Sequence, residues 1–140
     1  MIVQPYLNFD GRTEEALAFY GKTVGAKVEM LMRWKDCPDP LPPGMLPPGS
    51  ENKVMHSSFR IGESVVMASD SNCGGKPGFQ GISLTLAVAN DAEAKQKFDA
   101  LADGGKIEMP LGKTFFASSF GTLTDKFGVT WMVIAEGEKK

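Results

Sequence analysis

The chain has 140 residues, 42% hydrophobic and 23% charged, with 15 Lys plus Arg against 17 Asp plus Glu and a net charge of −2. That length supports one domain, or two very small ones, with a core that closes without staples, and the composition excludes extended disorder. The small net charge argues against a dedicated nucleic-acid binder, and no apolar run approaches the about 18 residues that a membrane-spanning helix needs.

The opening Met1-Ile2-Val3-Gln4-Pro5-Tyr6 has neither the basic start nor the long apolar stretch of a secretory signal, so a soluble cytoplasmic protein is expected. Val3 to Phe9 is short and apolar-rich, bounded by Asp10-Gly11, and predicts a strand. Thr13 is the expected N-cap of a helix, with Glu14 and Glu15 in its first turn, where the helix dipole favours acids. Ala16, Leu17, Phe19 and Tyr20 form its apolar stripe, and it ends before Gly25. Lys27 to Trp34, Lys53 to Ile61 and Ser64 to Ser69 predict three strands, the last two joined at Gly62-Glu63.

Cys37 to Gly49 carries six prolines and predicts an extended loop, either a lid, a clasp for a partner subunit or a surface excursion without a role. Ser71 to Gly78, with Gly74-Gly75 and Pro77, predicts a connection and lacks the pattern of a phosphate loop. Both cysteines, Cys37 and Cys73, fall in these segments without CxxC spacing and are expected to be reduced loop thiols. Gly81 to Ala89 predicts a strand, and Asn90 or Asp91 caps a helix through Ala94, Phe98 and Leu101 that stops at Gly104-Gly105. Lys106 to Met109, Phe115 to Leu123 and Val129 to Ala135 predict the remaining strands, with a hairpin turn at Asp125-Lys126-Phe127-Gly128.

The second half echoes the first. Gly25-Ala26-Lys27-Val28-Glu29-Met30 matches Gly104-Gly105-Lys106-Ile107-Glu108-Met109 at an offset of 79, and Glu14 and Phe19 match Glu93 and Phe98 at the same offset. Ser57-Ser58-Phe59 echoes Ser118-Ser119-Phe120 at an offset of 61, and Gly62 to Met67 echoes Gly128 to Val133. The shared order predicts two βαβββ modules, 1–70 and 79–136, within one α+β domain. Such modules, side by side, share a curved mixed sheet that encloses a cleft, with the helices on the outer face.

These residues resemble the vicinal oxygen chelate superfamily of glyoxalase I, extradiol dioxygenases and bleomycin-resistance proteins. The nearer resemblance is to its PhnB-like branch, also labelled 3-demethylubiquinone-9 3-methyltransferase-like. It is carried by Pro5-Tyr6-Leu7-Asn8-Phe9-Asp10-Gly11, Glu15-Ala16, Phe19-Tyr20, Gly25-Ala26, His56, Met67-Ala68-Ser69-Asp70, Phe120-Gly121 and Thr124 to Met132. It spans roughly Val3 to Ala135, and its implied fold is the glyoxalase/bleomycin-resistance/dioxygenase type. The branch implies no common reaction.

Metal-using members of that superfamily place a His early in the first strand of each module and a carboxylate in the last. The corresponding positions are Gln4, Ser83, Val66 or Met67, and Met132. None is a good ligand for a hard or borderline divalent ion, so no metal and no cofactor are expected. The methyltransferase label finds no glycine-rich loop after a first strand.

His56 is the only histidine. Alternation puts it on one strand face with Ser58 and Arg60, and the Ser-Ser-Phe echo makes Ala117 its counterpart. It is the candidate catalytic residue, as a general base or single ligand helped by Asp70 or Glu136; the plainer reading is a satisfied sheet histidine. The branch resemblance implies a His at that place.

Candidate ligand-binding residues are Tyr6, Asn8, Ser58, Met67, Ser69, Ser83, Thr85, Phe116 and Met132, which supply hydroxyl, amide and apolar groups on nearby strands. Met67, Met132 and Ile134 are expected on the cleft side, and Trp131 and Val133 behind the sheet. The symmetric Glu29 and Glu108 are expected on solvent faces.

The leading expectation is metal-free binding of a small molecule, by sequestration or sensing, in a homodimer that contacts neither nucleic acid nor membrane. The alternative is an enzyme (a lyase, isomerase or transferase) built on His56. A third is assembly through the Pro-rich loop.

Overall fold

The computed structural model describes residues 1–9, 11–36, 52–70, 79 and 81–136. Cys37, Cys73, the Pro-rich loop and the whole Ser71 to Gly78 connection lie outside them. The chain divides into two compact units, 1–77 and 78–140.

The first unit runs β1 (Tyr6–Asn8), α1 (Thr13–Val24), β2 (Lys27–Arg33), β3 (Val54–Ile61) and β4 (Ser64–Ser69), with a 3-10 turn over Trp34–Asp36. Its sheet has the order β1-β4-β3-β2, with β1 parallel to β4 and the other pairs antiparallel. The second unit repeats this as β5 (Ser83–Val88), α2 (Asp91–Ala102), β6 (Lys106–Gly112), β7 (Ser119–Thr124) and β8 (Thr130–Ala135). Its order is β5-β8-β7-β6, again with one parallel pair. Two four-stranded mixed sheets, each with one helix, make the α+β architecture that the resemblance implies.

Each helix covers one face of its own sheet. On α1, Ala16, Leu17, Phe19, Tyr20 and Val24 are buried, as are Leu7, Phe59, Val66 and Ala68 of the strands. Tyr20 lies 6.3 Å from Phe9 and 6.0 Å from Phe59, ring centre to ring centre. α2 buries Ala94, Phe98 and Leu101, and Trp131 and Val133 are buried in its unit. There Gly121 has no room for a side chain. A Cβ would stand 2.7 Å from Phe98 Cε2 and 3.0 Å from the Leu111 Cα.

The two helices begin differently. Asn90 caps α2 from its own sequence, its side chain accepting from Glu93 N at 2.8 Å. Thr13, expected to cap α1, is instead its first helical residue and is buried. The acceptor comes from the end of β4. Asp70 Oδ1 takes Gly11 N (2.7 Å), Thr13 N (3.0 Å) and Thr13 Oγ1 (2.6 Å), while Oδ2 takes Val54 N (2.9 Å). One buried carboxylate thus ties α1, β3 and β4 together, an arrangement local patterning does not reveal.

Two strands are shorter than expected. β1 pairs only Tyr6 to Asn8 with Met67 to Ser69, and Met1 to Val3 are exposed. Phe115 to Ser118 precedes β7, because the Thr114 hydroxyl accepts from Phe116 N and Ala117 N and holds a turn there. The turn into β8 forms as expected, with Gly128 at φ 91. Asp125 is buried within it and accepts from Phe127 N, Val129 N and Trp131 Nε1. Among the described residues no helix is long and apolar enough to cross a membrane.

Candidate functional site

With one face of each sheet under its helix, the other face is where side chains remain reachable. Cross-strand register sorts them. In the first unit Tyr6 pairs with Met67, Met67 with Ser58, and Ser58 with Met30. One step along, Asn8 pairs with Ser69 and Met32 with His56. This open face therefore gathers Tyr6, Asn8, Ser58, Met67 and Ser69 around His56, adding Met30 and Met32, which sequence reasoning missed.

The signal for those two was hidden by a bulge. Val28 opposes Phe59 and Met30 opposes Ser58, so Glu29 is an extra residue. Strict alternation would have misplaced everything after it. The second unit carries the same device at Glu108, between Ile107 opposite Leu123 and Met109 opposite Thr122. Both glutamates are exposed and turn to the neighbouring strand. Glu29 pairs with Arg60 at 3.5 Å, and Glu108 accepts from Thr124 Oγ1 at 2.8 Å.

At the centre of the first face, Tyr6 Oη and His56 Nδ1 are 3.1 Å apart, and their rings stack with centres 5.6 Å apart. Tyr6 is 41% exposed and His56 half-buried. With Nδ1 engaged, Nε2 is the ring nitrogen presented to a ligand. Ser69 is fully buried and donates to Asn8 Oδ1 at 3.3 Å, so it orients Asn8 rather than meeting a ligand itself. Asp70 faces α1 with four accepted hydrogen bonds and is not a helper for His56. Glu136 belongs to the other unit.

The matching face of the second unit differs in chemistry. Ser83 pairs with Thr130, Thr85 with Met132 and Ala87 with Ile134. Thr85 Oγ1 lies 3.9 Å from Met132 Sδ. The bulges make Ser58 equivalent to Thr122, so His56 is equivalent to Phe120, not to Ala117. The Ser-Ser-Phe echo is a coincidence of composition. Phe116 is exposed, and its ring centre is 5.1 Å from those of Phe115 and Phe120.

The positions of the superfamily's metal ligands can now be read. Val66 is buried under α1 and Met67 lies on the open face, opposite Tyr6 as Met132 lies opposite Thr85. Met67 is thus the equivalent of Met132. An amide, a hydroxyl and two thioethers, from Gln4, Ser83, Met67 and Met132, do not fit a hard or borderline divalent ion. No three of His, Cys, Asp and Glu are grouped among the described residues.

The family model described as 3-demethylubiquinone-9 3-methyltransferase matches residues 2–134. The chain belongs to that family. Within this PhnB-like family it is 39% identical over 140 residues to Protein YjdN of Escherichia coli K12, covering 95% of this chain and 94% of that protein. It is 40% identical to protein PA1353 of Pseudomonas aeruginosa, with TM-score 0.83 over 97% of this chain and 98% of that one. Fosfomycin resistance protein FosX of Listeria monocytogenes shares the fold at 9% identity and TM-score 0.64, over 96% and 92% of the two chains. These likenesses place the family on the vicinal oxygen chelate fold. Neither sheet is the parallel, doubly wound type, so the fold adds nothing to the methyl-transfer label in the family's name.

Proposed function

We propose that this PhnB-like protein binds a small organic molecule on the open face of its first sheet, without a divalent metal centre and without a cofactor. The Tyr6–His56 pair carries the reading. A half-buried imidazole and a phenol, held to each other and floored by Met67, offer a fixed polar anchor against apolar surface. Asn8 and Ser58 add an amide and a hydroxyl beside it. In the second unit Ser83 and Thr85 offer hydroxyls, and Phe116 and Met132 offer apolar surface. The protein works as a homodimer in the cytoplasm in this reading, and neither nucleic acid nor membrane is its partner.

A screen of small carboxylates, phosphonates and aromatic amides by thermal shift tests it. A hit that stabilises the wild type is expected to lose its effect in His56→Ala and weaken in Tyr6→Phe. Hits that stabilise both variants as well as the wild type would overturn the assignment.

The second reading is an enzyme, a lyase, isomerase or transferase, in which His56 Nε2 takes a proton from substrate. The favouring observation is again the Tyr6 bond, which holds the ring through Nδ1 and leaves Nε2 for the substrate. Turnover of a bound hit, abolished in His56→Ala while affinity persists, separates it from sequestration.

A further inference from the structure

The open face of the first sheet holds a donor set that its polar pair does not use. Met32 stands directly opposite His56, and Met30 and Met67 flank Ser58 from either side. Directly opposed residues have Cβ atoms about 5 Å apart, and diagonal neighbours about 7–8 Å. All three thioethers therefore begin within one diagonal of the imidazole. Only the short Ser58 side chain separates Met30 from Met67, which leaves long, flexible methionines room to turn inward. Met32, Met67 and His56 are half-buried, and Met30 is 39% exposed.

The imidazole is held in the way a ligating histidine usually is. Its Nδ1 is engaged by Tyr6 Oη, which holds the ring and leaves Nε2 as the nitrogen for a ligand. The nearest acids on these strands have other partners: Asp70 caps α1, and Glu29 pairs with Arg60. Beside the hydroxyl of Ser58 and the amide of Asn8, the three methionines put soft sulfur around the imidazole.

We propose that His56 Nε2 and the sulfurs of Met30, Met32 and Met67 form a binding site for a soft monovalent cation, Cu(I). Thioether sulfur selects Cu(I) over the oxygen-seeking divalent ions, and imidazole completes the set. Met67, one of the residues that disqualify the superfamily's divalent centre, thus suits a different ion. Methionines at these positions also serve as plain apolar floor, and the experiment distinguishes the two. The inference does not rest on the organic-ligand reading, and it stands or falls without it.

The test uses the full chain carrying Cys37→Ser and Cys73→Ser, because free thiols bind Cu(I) themselves. Under ascorbate and without oxygen, the protein is titrated against the Cu(I)-bicinchoninate complex. Withdrawal of one Cu(I) per chain is expected. His56→Ala and the paired Met32→Leu, Met67→Leu variant should each lose it, with folding checked by circular dichroism, since Leu keeps the apolar volume. Tyr6→Phe removes the outer hydrogen bond and should weaken binding roughly 10- to 100-fold. X-ray absorption of the loaded protein should show both sulfur and nitrogen neighbours. Copper left with the chromophore, or binding unchanged in either of the first two variants, would overturn the site.

Discussion

His56 and Phe120 occupy the same place in the two sheets, each two residues before the strand position that faces a methionine, Met67 in one and Met132 in the other. One framework has therefore been given a titratable polar centre in its first copy and an apolar ring in its second. The neighbours follow suit. Asn8 and Ser69 of the first face answer to Ala87 and Ile134 of the second. His56→Phe makes the first face like the second. The sheet already accepts an aromatic ring at that place, so stability should change by less than about 1 kcal/mol while ligand binding is lost. Urea unfolding of the variant beside a binding assay checks both halves.

Asp70 is the residue on which the first unit's local structure converges. Asp70→Ala leaves the amide groups of Gly11, Thr13 and Val54 and the Thr13 hydroxyl without their acceptor. A loss of about 3 kcal/mol is expected, since stranded buried donors each cost on the order of 1–3 kcal/mol and water reaches some of them. The urea midpoint should fall with the slope unchanged. A loss below about 1 kcal/mol would mean that the cap is replaceable.

Gly121 and Gly112 make a matched pair in the second unit. At Gly121 a Cβ meets Phe98 and the backbone of Leu111, whereas at Gly112 the nearest atom is the Pro110 carbonyl oxygen at 4.0 Å. Gly121→Ala should cost about 1–3 kcal/mol through overpacking, and Gly112→Ala should be close to neutral. Thermal unfolding of the two variants side by side measures the difference.

Asp91 gives a pH prediction. Hydrogen bonds from Ser118, then from Ser119, hold its carboxyl below the usual aspartate range, against a smaller opposing effect of desolvation. A depressed folded-state pKa contributes stability that is present above the unfolded value and lost as pH falls through the folded one. The Ser118→Ala, Ser119→Ala double variant should show the Asp91 titration moved up toward its ordinary value by carboxyl NMR. Its stability deficit relative to wild type should be present at neutral pH and shrink in acid.

The duplication and the element order were legible because they rest on local signals. Gly25 and Gly104 follow the two helices at one offset, acids open both, and apolar stripes match at that offset. Met67, Met132 and Ile134 fall on the open faces and Trp131 and Val133 under α2, as alternation within those strands requires. Three features escaped for physical reasons. The cap of α1 arrives from Asp70, 57 residues after Thr13, and no local pattern announces it. The bulges at Glu29 and Glu108 reset alternation, which hid Met30 and Met32. The hairpins differ in length: Ile61 pairs with Ser64 across two residues, but Thr124 pairs with Thr130 across five. A constant offset therefore cannot hold through them, and the Ser-Ser-Phe echo pointed His56 at the wrong partner.

The central claim is that the first sheet's open face is the binding surface. Methionine-methyl NMR tests it most directly, because Met30, Met32 and Met67 report on that face and Met109 and Met132 on the other. A small-molecule hit should shift the first three methyl signals in the wild type and leave them still in His56→Ala. Shifts confined to Met109 and Met132, or shifts at the first three that survive loss of His56, would contradict the account.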